Sequence, residues 1–261
     1  MAISVPERKS LGRLTGQPGE TLSAALRRTL LDMILFGYFD GEGRIYPLDL
    51  ARHFAVSPTP VREALMQLST EGYIEAIPRR GFRIKQPSAQ LVEDLWQVRQ
   101  GLEIMAAQLA VTRLERKQIG AADIDALSAI QGRRDQLGAR MSPNQQLELN
   151  AAFHQALVAL SGNPVLIGIY GAIQLQVIGA LVQRGSQTWR NRLADDAREH
   201  HAIIAAVKAR DAVRCAVVIR LHIERSKAGA LQDLAKRTAA STAPTNSGTA
   251  RKSINIRKLG N

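Results

Sequence analysis

Asn150 and His154 are the first residues in this 261-residue chain whose types and spacing suggest chemistry. Four positions apart on a helix, their side chains share a face and can converge on one point. His200 and His222 fall on two later helical stretches, so three helices facing a common interior would gather three imidazoles and one amide. Imidazole suits zinc, nickel or copper, and the amide oxygen is a weaker ligand. The competing reading is that of a satisfied core or interface residue, which a histidine on an apolar helix face more often is. His201 points about 100° away from His200 around a helix and reads as an ordinary polar residue.

A second constellation is Ser57-Pro-Thr-Pro-Val-Arg62-Glu-Ala-Leu65. Ser57 is placed to cap a helix, Val61, Ala64, Leu65 and Leu68 form its apolar stripe, and Thr59 and Arg62 are left facing outward. Such a helix start offers hydroxyl, backbone N–H and guanidinium donors to the phosphates and base edges of a DNA major groove.

The elements that must hold this segment are legible on both sides of it. Thr21 to Phe39 carries Leu22, Leu26, Leu30, Met33 and Ile34 at helical spacing, with Gly41 to Gly43 as its stop. Pro47 to Phe54 predicts a short second helix with Leu48, Leu50, Ala51 and Phe54 inward and His53 exposed. After Gly72 the period turns to alternation. Tyr73 to Ile77 and Gly81 to Ile84 read as two strands around Pro78-Arg79-Arg80, a hairpin wing with a basic tip. Arg79 and Arg80 are candidates for contact with the flanking DNA backbone or minor groove.

Pro87-Ser88 breaks the strand and restarts a helix. From there helices are expected at about 89–116, 121–140, 144–161, 163–184, 188–209 and 211–235, with Asn144, Asn163 and Asp211 as caps. Leu91, Leu95, Val98, Leu102, Met105 and Leu109 follow a three-four spacing, as do Leu147, Ala151, His154, Leu157 and Val158. Six such helices bury their stripes by packing on one another. The predicted fold is therefore mostly α: a flexible arm over 1–19, a winged helix-turn-helix over 20–86, an all-α antiparallel bundle over 87–235, and a disordered basic tail over 236–261.

Net charge is +12, and the segment from Lys236 onward supplies six basic residues and no acidic one, half of that total. This balance favours polyanions. The single cysteine, Cys215, excludes an internal disulfide framework and reads as a core residue of a cytoplasmic protein. Met1 to Gly19 lacks the apolar centre of a signal peptide, and no uninterrupted apolar run is expected to span a bilayer. With 4% aromatic residues there is little to build a stacking surface for single strands.

Residues 21 to 86 resemble the DNA-binding domain of the GntR superfamily of bacterial regulators, whose usual string runs close to V-S-R-T-P-V-R-E-A-L, followed by E-G-L and a glycine-containing wing. Pro58 stands where that family usually has an arginine, and Leu48 where its second helix often has another; Arg62 is the one retained. Residues 89 to 230 are similar to the FCD effector module of the FadR subfamily, through Val98-Arg99-Gln-Gly-Leu-Glu103, Asn150-Ala-Ala-Phe153-His154, Asn163-Pro164, Glu199-His200, and Asp211 leading to His222. The resemblance implies a divalent metal, zinc or nickel, on Asn150, His154, His200 and His222, with asparagine in place of the usual aspartate. It also implies that Arg99 binds a small carboxylate effector, and that the protein is a homodimeric repressor on a palindromic double-stranded DNA operator.

Two other classes remain open on these residues. The bundle could serve dimerisation alone, with a structural metal. A metal with open positions could also activate water, but Glu199 sits off the ligand face beside His200 and Glu103 is placed nearby only by assumption, so a general base is lacking. Neither a Gly-rich phosphate loop nor a nucleophile elbow is present.

Overall fold

Thr21 opens the first helix, α1 (Leu22–Leu35), by accepting a hydrogen bond from the Ala24 amide at 3.3 Å. In the computed structural model, which describes residues 19–39, 44–173, 175–183 and 188–242, two compact units form among the described residues: one before residue 87, the other over 87–183 and 188–235.

In the first unit α1 ends at Leu35, short of the expected Phe39, because Gly37 turns the chain at φ 73°. A two-residue strand β1 (Arg44–Ile45) follows, then α2 (Pro47–Phe54) and α3 (Pro58–Thr70). Leu26, Leu30 and Ile34 of α1, Leu50 of α2 and Val61, Leu65 and Leu68 of α3 are all fully buried, with α3 packed against both α1 and α2. Leu48, expected inward, is exposed, and His53, expected outside, is half-buried edge-on to Phe54.

Among the described residues the wing has three strands. β3 (Gly81–Ile84) lies between β1 and β2 (Ile74–Ile77), antiparallel to both. Glu75 and Arg83 face each other in register and form an ion pair at 2.5 Å. Glycine is required at 81: φ is +79°, and a Cβ would stand 2.5 Å from the Ile45 carbonyl oxygen. At the tip the Arg80 amide donates to Ile77 O at 2.9 Å, closing a turn that holds Arg79 in the left-handed region at φ 59°.

The second unit is helical: α4 (Ala89–Glu115), α5 (Ala121–Leu137), a 3-10 turn (Gly138–Arg140), α6 (Pro143–Ala159), α7 (Pro164–Ala172), α8 (Leu175–Gln183), α9 (Thr188–Lys208) and α10 (Ala212–Thr242). Ser88, Asn163 and Asp211 accept from amides in the first turns of α4, α7 and α10. The cap of α6 is Ser142, which exchanges hydrogen bonds with Gln145; Asn144, the expected cap, lies inside the helix and donates to Glu148.

Three further expectations are corrected. The helix expected over 163–184 is two, α7 and α8, with residue 174 outside the described residues. By length and composition alone Pro164–Gln183 could cross a membrane, at mean hydropathy 2.0, though Gln174 and Gln176 interrupt its apolar run and 40% of it is buried within the protein, with Leu166, Tyr170 and Leu181 turned inward. α10 runs through Lys236 to Thr242, so the expected tail begins as helix; residues 243–261 and the expected arm over 1–18 lie outside the described residues. Finally, the three-four series on α4 is not the buried face. Leu91, Val98 and Met105 are 40%, 47% and 50% exposed, and the core instead receives Val92, Trp96, Ala107, Ala110, Val111 and Leu114. Arg99 and Glu103 share that inward face, which is why an apolar count misread it.

Candidate functional site

Three helices bring three imidazoles together. His154 of α6, His200 of α9 and His222 of α10 are all buried, and one ring nitrogen from each lies within 4.8 Å of the other two. The rings of His154 and His222 stack with centroids 5.1 Å apart, and Phe153 lies flat on His200 at 3.8 Å.

The outer nitrogens are all occupied. His154 Nδ1 donates to Glu103 Oε2 at 2.9 Å, and His222 Nδ1 to Glu199 Oε2 at 2.8 Å. His200 Nδ1 meets two groups, Gln131 Oε1 at 2.7 Å, whose amide Asp135 orients by accepting from Gln131 Nε2 at 2.6 Å, and the guanidinium of Arg134, which can only donate. Nε2 of His154 and of His222 is then a lone pair turned toward the other rings. His154 Nε2 and His222 Nε2 face each other at 3.3 Å, and His200 Nε2 is buried with no hydrogen-bond partner. Two facing lone pairs repel, and only a proton or a metal cation between them relieves this. Burial drives the His154 pKa down to about 3 against the pull of Glu103, and it holds that of His200 well below the usual imidazole range, reinforced by the neighbouring imidazoles and arginines. These two rings are therefore uncharged at neutral pH and disposed to bind a cation rather than a proton. Carboxylate and amide partners on the outer nitrogens are the arrangement that orients imidazole ligands on a metal.

Glu103, fully buried on α4, is the hub. Its Oε1 accepts from Arg99 Nε at 2.7 Å and from the Tyr170 hydroxyl at 2.7 Å, while Oε2 holds His154. Burial raises its pKa, but Arg99 and His154 outweigh this and hold the carboxyl well below the usual range. Arg99 is thus committed at Nε, while its Nη2 is buried without a partner. On the far side Arg134 of α5, 3% exposed, places Nη1 2.9 Å from His200 Nδ1; its Nε and Nη2 make no hydrogen bond, and Asp196 stands 3.8 Å away. Glu199 accepts from Arg225 at 2.8 Å and borders an open crevice between α9 and α10 edged by Arg192, Arg198 and Arg225.

The structure thus gathers His154, His200 and His222 and sets Arg99 one hydrogen-bonded step away through Glu103. Asn150 is half-buried on α6, one turn before His154. Sequence reasoning left Glu103 unplaced, set Glu199 aside, and missed Gln131, Arg134 and Tyr170. A signal existed for two of these: Ile124, Leu127, Gln131 and Arg134 continue one buried stripe along α5, so two polar residues occupy core positions. His201 is exposed and pairs with Asp135 at 2.8 Å.

In the first unit Ser57, Thr59 and Arg62 are exposed at the start of α3, and Arg79 and Arg80 at the wing tip. Ser57 occupies the cap position, yet its side chain makes no capping hydrogen bond. Its hydroxyl and the first amides of α3 stay available to an outside acceptor.

Residues 22–84 match the bacterial regulatory proteins of the gntR family, and residues 94–225 match the FCD domain. The chain is similar to the Nta operon transcriptional regulator of Aminobacter aminovorans, at 30% identity over 192 residues that cover 74% of this chain and 86% of the relative. It is also similar to the HTH-type transcriptional repressor GlaR of Escherichia coli, at 27% identity over 204 residues covering 75% and 90%. Among solved structures, Escherichia coli McbR/YncC shares the fold with a TM-score of 0.58 at 22% identity, covering 82% of this chain and 98% of that one. With the FCD match spanning about half of its length and a winged helix-turn-helix preceding it, the chain belongs to the gntR family of bacterial regulatory proteins, as a DNA-binding transcriptional regulator and not an enzyme.

Proposed function

We propose that the protein is a cytoplasmic, homodimeric repressor whose affinity for a palindromic operator changes when a small carboxylate metabolite enters a metal-containing pocket of the helical unit. The observation that carries this reading is the convergence of three buried imidazoles, with the Nε2 of His154 and of His222 facing each other, that of His200 buried and unpartnered, and every Nδ1 held from behind. This donor set fits a zinc or nickel ion on His154, His200 and His222, with Asn150 as the fourth ligand. Such an ion supplies Lewis acidity and charge for an anionic ligand. Arg99 offers its unpartnered Nη2 to the carboxylate, and Glu103 keeps that guanidinium and His154 in place together.

On DNA, Arg62 carries base reading, because Pro58 and Leu48 supply no guanidinium; Ser57 and Thr59 take phosphates, and Arg79 and Arg80 the flanking groove. A second copy of the chain is supported by the exposed series on α4. Leu91, Val98 and Met105 recur every seven residues with half-buried Leu95, Leu102 and Leu109 between them, the spacing of a helix-to-helix seam.

The test is elemental analysis of the purified protein beside its His154→Ala and His222→Ala variants. Near-stoichiometric zinc or nickel in the parent, lost in both variants together with the response to added carboxylic acids in an operator gel shift, is the expected result. Unchanged metal content in both variants removes the site.

A further inference from the structure

His200 is held differently from the other two imidazoles. Behind His154 and His222 stand ionised carboxylates, Glu103 and Glu199, which can only accept and so keep a proton on each Nδ1. Behind His200 stand two groups with opposite demands. Gln131 Oε1, 2.7 Å from Nδ1, accepts and requires a proton there; Arg134 Nη1, 2.9 Å from the same nitrogen, donates and requires a lone pair. Nδ1 can satisfy only one of them, because a neutral imidazole carries its single proton on Nδ1 or on Nε2.

The balance favours Arg134. Its bond to His200 is charge-assisted, and such bonds are roughly twice as strong as neutral ones. It is also the one hydrogen bond that this buried guanidinium makes among the described residues: Nε and Nη2 have no partner, and Asp196, shared with Arg192, comes only within 3.8 Å of Nη2. Gln131, by contrast, keeps its bond to Asp135 whichever nitrogen of His200 is protonated. A proton on His200 Nε2 also spares the cluster a third lone pair, where those of His154 and His222 already face each other at 3.3 Å.

Resting on the metal-pocket reading above, we infer that Arg134 is a brake on metal capture: in the metal-free protein its guanidinium holds His200 with the proton on Nε2, so that two imidazoles are ready as ligands and the third is not. His200 joins them only by shifting that proton to Nδ1, where Gln131 takes the hydrogen bond and Arg134 loses its own. The ring keeps one proton throughout. Gln131 and Arg134, three residues apart on α5, are positioning residues of opposite sign, one tightening the site and the other loosening it.

The experiment measures zinc affinity of the full-length protein by competition with a chromophoric chelator, and reads the His200 tautomer by proton–nitrogen correlation NMR on isotopically labelled histidines, its signals identified by their loss in His200→Ala. Arg134→Met keeps length without charge or donor and leaves Asp196 its pair with Arg192. This variant is expected to bind zinc about tenfold or more tightly than the parent, and Gln131→Met about tenfold or more weakly. A general loosening of α5 would move both the same way. The His200 proton should sit on Nε2 in the metal-free parent, and on Nδ1 after zinc loading and in metal-free Arg134→Met. Zinc held no more tightly by Arg134→Met, or a metal-free parent already protonated on Nδ1, overturns this inference and leaves the metal pocket standing. Zinc bound by neither the parent nor Arg134→Met overturns the metal pocket and this inference with it. Should Arg134→Met not fold, the tautomer of the parent before and after zinc loading decides the matter alone.

Discussion

Glu103→Gln isolates the charge of the hub while keeping its shape. Oε1 of Glu103 serves Arg99 and Tyr170, and Oε2 serves His154. A glutamine oxygen can replace the first role, but its NH2 then faces His154 Nδ1, donor against donor. His154 relieves the clash only by moving its proton to Nε2, which removes that nitrogen as a ligand. Arg99, 5% exposed, meanwhile loses its counter-charge. Breaking a buried ion pair from one side costs about 3–5 kcal/mol. For a domain of this size each kcal/mol lowers the melting temperature by roughly 2–4 °C, so the metal-free helical unit should melt about 6–20 °C lower. Loss of the partner that orients a metal-binding imidazole weakens affinity about 10–100-fold. Differential scanning calorimetry of the metal-free variant and zinc competition against a chromophoric chelator read the two effects separately. A variant that melts within about 2 °C of the parent and holds zinc equally well would refute the hub.

Acid should destabilise the metal-free protein well above the carboxylate range. An unfolded imidazole takes its proton near pH 6.5, whereas folded His154 resists until about 3, so between those values the unfolded state binds more protons and stability falls with falling pH; urea midpoints unchanged between pH 7.5 and 5 contradict this. Arg62→Ala should abolish specific operator binding with the dimer intact, and equal affinity in a gel shift removes the recognition-helix assignment. Val98→Glu places a charge in the exposed seam of α4 and should give monomers by light scattering at concentrations where the parent is dimeric, with the helical circular dichroism retained. Gly81→Ala should destabilise the winged unit by about 1–3 kcal/mol, since its Cβ would meet the Ile45 carbonyl at 2.5 Å in a left-handed backbone; a parent-like unfolding curve counts against the packing described.

The winged unit was readable because its signals are local. The apolar stripe of α3, the alternation around Pro78-Arg79-Arg80 and the cap position of Ser57 each span fewer than a dozen residues, and they recur in the structure. What went unread there was β1, two residues long, whose pairing with β3 depends on partners almost forty positions away. In the bundle, helix existence was legible from periodicity and helix burial was not. The series from Leu91 to Leu109 and the face bearing Val92, Trp96, Arg99 and Glu103 have the same period, and only packing decides which of them turns inward.

The same division runs through the site. Sequence alone determined that Asn150 and His154 share a helix face and that His200 and His222 lie on separate helices, because helical spacing needs no tertiary information. It did not determine that the three rings meet, nor that Gln131 and Arg134 stand behind His200 while Glu103 and Glu199 fix the other two. Those pairings join residues 23 to 69 positions apart, and which carboxylate reaches which ring follows from how the helices pack. Residue type specified what each group can donate or accept; only the tertiary structure decided which donors found an acceptor and which, on Arg99 and Arg134, were left without one, because burial excludes the water that would otherwise satisfy them.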